Sequence, residues 1–96
     1  MEEKKLNLNP HFISLVMMLS SAAWQQLGKA PNPVTGKIEK EVSHAQVTIE
    51  LLLMMKEKTK GNLNAEEEKL LGNVISDLQL NYADEVNKPG EKPKIN

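Results

Sequence analysis

Glu57-Lys-Thr-Lys-Gly-Asn-Leu-Asn-Ala-Glu-Glu-Glu68 holds a helix stop and, directly after it, a helix start. Lys56, Lys58 and Lys60 put cations in a last helical turn, where the carbonyl end is negative, and Gly61 follows where a left-handed residue is favoured. Asn64 then stands as an N-cap able to accept from the backbone of the next turn. Glu67, three positions on, can reach back as in a capping box, and Glu66 to Glu68 suit the positive helix end. A connection this short returns the chain beside itself, so the segment predicts an antiparallel hairpin of helices 2 and 3.

Downstream, the pattern predicts a third helix over about 65–86. Leu70, Leu71, Val74, Ile75, Leu78 and Tyr82 form its core stripe, opposite Glu66, Lys69, Asn73, Ser76, Asp77 and Asp84. Gly72 lies off that stripe and costs about 1 kcal/mol relative to Ala in a helix interior. After Val86 the residues offer almost nothing to bury, so 88–96 is expected to be a disordered tail.

Upstream, a second helix is expected over about 38–60. Its polar residues, not its apolar ones, make the narrow stripe: Glu39, Ser43, Gln46, Glu50 and Glu57. Ile38, Val42, Ala45, Ile49, Leu52 and Leu53 form one apolar side, while Val47, Leu51, Met54 and Met55 lie nearly opposite. A helix apolar nearly all round is buried nearly all round, and two neighbours from the same chain cannot cover both sides. Val47, Leu51, Met54 and Met55 are therefore the expected interface with a second copy.

The first helix is expected over about 10–27, with Asn9 as N-cap, Pro10 at its first position and Gly28 as its stop. From Phe12 to Leu27 it carries no charge; Phe12, Ile13, Leu15, Val16, Met17, Leu19, Ala22, Ala23, Trp24 and Leu27 cover more than half its circumference, and Ser14, Ser21 and Gln25 mark its wet stripe. That stretch is short for a membrane span. Lys4-Lys5, the apolar run and Ser21-Ala22-Ala23 loosely imitate a secretory signal, but Glu2, Glu3 and Pro10 oppose that reading. No lysines flank an apolar face as a membrane-lying helix would need. Between the first two helices, Pro31, Pro33 and Gly36 predict a loop. Gly36-Lys37 is not a phosphate loop, since the upstream glycine and the following Ser or Thr are missing and no strand precedes it.

One domain is expected from 96 residues, over 9–87, with residues 1–8 a flexible N-terminus. A core this small is marginal without staples or partners, and without cysteine there is no disulfide or thiolate metal site. Twelve lysines, no arginine, thirteen acidic residues and three aromatics give a net charge of −1. Guanine readout by arginine and base stacking on aromatics are thus poorly supplied, and nucleic acid is not an expected partner.

Several of these residues resemble a small bacterial family of all-helical proteins known as a domain of unknown function. The resemblance runs from about Phe12 to Tyr82. It rests on Leu27-Gly28, the Asn32-Pro33 and Thr35-Gly36 loop, Ala45 and Ile49 leading into Leu52, and above all Glu57 to Leu63 with Glu67 and Leu70-Leu71. Family members carry Asp after the isoleucine of the second helix and Arg in the third, where this chain has Glu50 and no arginine. What the resemblance implies is an all-helical, cytoplasmic protein, with no catalytic residue or cofactor to transfer.

Glu41-Val-Ser-His44 is a Glu-x-x-His pair with metal-ligand spacing, as used twice in di-iron bundles together with two further glutamates. The first helix offers no carboxylate, so the ligand set is incomplete, and neither metal nor cofactor is expected. His11 stands alone beside the first cap. No cysteine is present, and no serine has the setting of an activated nucleophile, so no catalytic residue is expected. Lys56, Lys58, Lys60 and Lys69 gather near the hairpin but are interspersed with glutamates and read as solvated surface. The expected protein is an all-α, three-helix, non-enzymatic interaction or scaffold module, completed as a helical bundle by dimerisation and open to an unidentified protein partner. The alternative is a metal-binding helical dimer using Glu41 and His44.

Overall fold

The computed structural model describes residues 8–87 as three α-helices with no strand among them: α1, Pro10–Gln26; α2, Val42–Lys58; and α3, Ala65–Val86. The expected flexible start and disordered tail lie outside the described residues, Leu8 apart. Among the described residues no helix is long and apolar enough to cross a membrane.

Each helix contributes a line of small or branched apolar residues to one core. Val16, Ala23 and Leu27 come from the α1 side, Ala45, Ile49 and Leu52 from α2, and Leu71, Ile75 and Leu78 from α3. Phe12, Leu19, Trp24, Met55, Leu63, Val74 and Tyr82 pack around them. Helix α2 touches both neighbours extensively, while α1 and α3 meet less.

Local chemistry explains the helix ends. The Asn9 side chain accepts from His11 and Phe12 N–H at 2.9 and 3.0 Å, and Pro10 lacks the donor that would otherwise be orphaned. Leu27 caps α1, and Gly28 turns the chain at φ +80. The α2–α3 connection passes through Gly61 at φ +86, and Asn64 and Glu67 form a reciprocal capping box.

Helix α2 begins at Val42, four residues later than the apolar pattern predicted, and ends at Lys58 instead of Lys60. Competing partners hold the preceding segment out of the helix. Glu39 accepts from Asn32 Nδ2 at 2.9 Å and from Thr35 Oγ1 at 3.1 Å, Lys40 pairs with Glu85, and Glu41 N–H donates to the Gln26 carbonyl at 2.7 Å. Ile38, expected in the core, is consequently outside the helix and exposed. At the far end Thr59 donates its hydroxyl to the Met55 carbonyl at 2.7 Å, which closes the last turn.

Candidate interaction surface

Plotted at 100° per residue, Val47, Leu51 and Met54 fall within about 60° of one another, nearly opposite the core line of α2. They are 54%, 42% and 45% exposed, so the stripe is bare in the isolated chain. Its continuity matters, because single exposed apolar residues are ordinary while an apolar patch marks a contact site. Met55, expected to belong to the stripe, is half-buried and packs against the core instead. Leu53, expected to be buried, is exposed on a different side of α2.

Helix α1 also leaves apolar side chains bare, on more than one of its sides. Leu15, Met17 and Met18 are all exposed, although the sequence pattern placed Leu15 and Met17 on the apolar face. The hydroxyl of Thr48 donates to Gln26 Oε1 at 2.7 Å, which sets the flank of α1 carrying Leu15, Ala22 and Gln26 against α2.

Glu41 and His44 sit at the start of α2, both exposed. They line a cavity of about 370 Å³ with Glu39, Gln25, Gln26 and Asn32. Glu39 is already committed to Asn32 and Thr35. Among the described residues no group of three His, Asp or Glu is placed to hold a metal ion. His11 is exposed beside the Asn9 cap.

Two buried carboxylates have structural roles that the sequence pattern signalled only by their presence at the ends of the α3 core stripe. Glu67 uses Oε1 for the Asn64 N–H at 3.1 Å and Oε2 for the Asn9 N–H at 2.7 Å. Glu85, 2% exposed, is clamped by Lys29 Nζ at 2.8 Å and by Lys40 Nζ on its other oxygen. Hydrogen bonding to Glu85 holds the Lys29 ammonium above its usual pKa range, with the charges of Glu85 and of Asp84, 3.6 Å away, adding to the effect. Both anions are thereby supplied with donors and are consumed in holding elements together.

No curated protein and no solved structure matches the chain. Residues 9–84, from the cap of α1 to the last turns of α3, match the family described as Domain of unknown function (DUF1844), and the chain belongs to that family.

Proposed function

We propose that this protein is a non-catalytic helical interaction module that works as a homodimer, with α2 at the seam. The stripe of Val47, Leu51 and Met54 carries the reading. Burying a Val, Leu or Met side chain contributes about 1.5–3 kcal/mol, so covering this stripe offers a substantial gain to a domain with little stability to spare. A two-fold axis is the commonest closed solution and sets the same patch against itself. The three helices then form half of a larger bundle. Within each copy α2 and α3 make an antiparallel hairpin, a reading supported by the hydrogen bond from Tyr82 Oη, late in α3, to Gln46 Oε1, early in α2, at 3.1 Å.

The state of the buried carboxylates supports the non-catalytic reading. Buried acids are where perturbed catalytic groups are sought, yet Glu67 and Glu85 are engaged by backbone donors and lysines. A dimeric metal site at Glu41 and His44 would need its remaining ligands from elsewhere, and Glu39 beside them is occupied.

Sedimentation equilibrium at micromolar concentration tests the proposal. A dimer is expected for the wild type and a monomer for Leu51→Glu, which sets an unpaired charge in the seam. A folded wild-type monomer whose stability is unchanged by Leu51→Glu would sink it.

A further inference from the structure

A cleft on the α2–α3 side of the molecule, away from the proposed seam, joins apolar surface to a group of lysines. Its walls are the last turns of α2, the 59–64 connection and the first turns of α3, and its volume is about 710 Å³. Leu53 and Leu63 supply its accessible apolar surface, above the fully buried Leu71. Lys56, Lys60 and Lys69 supply the cations, and among the described residues none of them has an ion-pair partner. Glu57 and Glu68 also line the cleft without pairing with these lysines, leaving an excess of one positive charge. The turn that defines the hairpin brings these groups together: Gly61 reverses the chain, so lysines from both helix ends meet over leucines from both helices.

We propose that this cleft binds a small amphiphilic anion, an alkyl chain ending in a carboxylate, with the tail over Leu53 and Leu63 and the head at Lys56, Lys60 and Lys69. The pairing follows from the chemistry of the walls, since an apolar tail removes leucine surface from water while the head group meets the ammonium groups. Size favours a small molecule over a peptide. The cavity lies within the range of about 300–1,000 Å³ typical of small-ligand sites. From Leu53 to the end of α2 at Lys58 it follows about one and a half helical turns, roughly 8 Å, which suits an alkyl chain better than a docking helix.

Titration of the full chain with dodecanoate below its micellar concentration, followed by amide chemical shifts, tests the site. Saturable shifts are expected at Leu63, Ala65 and Leu71. Replacing one lysine, as in Lys60→Gln, should weaken binding by about fivefold, the equivalent of about 1 kcal/mol for a partly exposed ion pair. Leu53→Gln should weaken it as well, while Leu80→Gln, 70% exposed on α3 and outside the cleft lining, should leave it unchanged. Circular dichroism checks that each variant is folded. The proposal is overturned if dodecanoate gives no saturable shifts, if dodecanol binds as tightly as dodecanoate, or if the shifts centre on Met18 and Leu51. It is equally overturned if an acidic, leucine-containing peptide occupies the cleft and dodecanoate does not.

Discussion

The Glu67 carboxylate accepts a hydrogen bond from the Asn9 backbone N–H at 2.7 Å, across 58 residues of sequence. Its other oxygen accepts from the Asn64 N–H at 3.1 Å. One buried acid thus satisfies the N-cap donors of both α1 and α3 and ties the two helix starts together. Asn9 and Asn64 in turn cap their own helices with their side chains. A local capping box has become a tertiary contact, and a change at Glu67 reaches α1 as well as α3.

Glu67→Ala should therefore destabilise by about 1–3 kcal/mol, the cost of stranding buried donors that had a charged acceptor. Glu67→Gln should fall between Ala and the wild type, because the amide oxygen can serve one donor while its NH2 group faces another. Glu68→Gln, exposed and next in sequence, is the control. Urea midpoints read all three, and equal effects at 67 and 68 would remove the link from the account.

At the other end of α3, Glu85 is nearly inaccessible and lies between Lys29 and Lys40, whose side chains remain partly exposed. Either lysine alone still gives the carboxylate a partner, so Lys29→Met or Lys40→Met should each cost little. The double replacement should cost more than their sum, since it takes both clamping lysines from a buried charge. Glu85→Met, of similar volume, should be milder than the double lysine variant for the same reason. Thermal or urea unfolding completes this cycle.

The same clamp predicts an alkaline limb in stability. Lys29 has its folded pKa raised above 10.5, chiefly by hydrogen bonding to Glu85. A raised cationic group binds its proton more tightly folded than unfolded, so its contribution is complete below 10.5 and fades as pH climbs through the folded value. The midpoint gap between Lys40→Met, where Lys29 is the remaining lysine of the clamp, and the double lysine variant should narrow over that interval. A gap that stays constant there would deny Lys29 a stabilising charge.

How much was legible follows from how local each signal is. Asn64, Glu67 and Gly61 act within a few residues, so the 59–64 connection could be read directly from the chain. The start of α2 could not. Ile38 and Val42 have helical spacing, but Gln26 and Glu85, in other elements, and Asn32 and Thr35, in the preceding loop, compete for the groups between them. Periodicity also overstated burial, since it counts apolar residues without knowing which faces have neighbours; Leu15, Met17 and Leu53 are exposed for that reason. The three-lysine cleft was invisible because sequence proximity suggested that Glu57 and Glu68 neutralise Lys56, Lys60 and Lys69, whereas no ion pair joins them.

Glycine substitutions separate backbone strain from crowding. At Gly61, φ is +86 and an added Cβ meets nothing within 4 Å, so Gly61→Val should cost about 1–2 kcal/mol from conformation alone. At Gly28, φ is +80 and the Cβ would also approach Lys40 Cγ at 3.2 Å, so Gly28→Val should cost more. Gly72 is helical with open space around it. Gly72→Ala should therefore stabilise by about 0.5–1 kcal/mol. Destabilisation there would reveal a covering surface that the isolated chain lacks.

The chain contains no cysteine, so one introduced thiol reports directly on self-association. On a two-fold dimer a residue beside the axis meets its own counterpart, and a disulfide forms when the Cα atoms lie about 4.4–6.8 Å apart. Leu51 is central in the bare stripe of α2, between Val47 and Met54, whereas Leu80 is 70% exposed on α3, away from that stripe. Leu51→Cys should oxidise rapidly to a covalent dimer, and Leu80→Cys should remain largely monomeric on non-reducing gels under the same mild oxidation. Diffusional collision favours the more exposed thiol, so it would give the reverse order. That inversion makes the comparison informative: faster coupling at position 80 than at 51 would remove α2 from the seam. Selective coupling at 51 that disappears on dilution before oxidation would show a reversible dimer whose axis passes close to that residue.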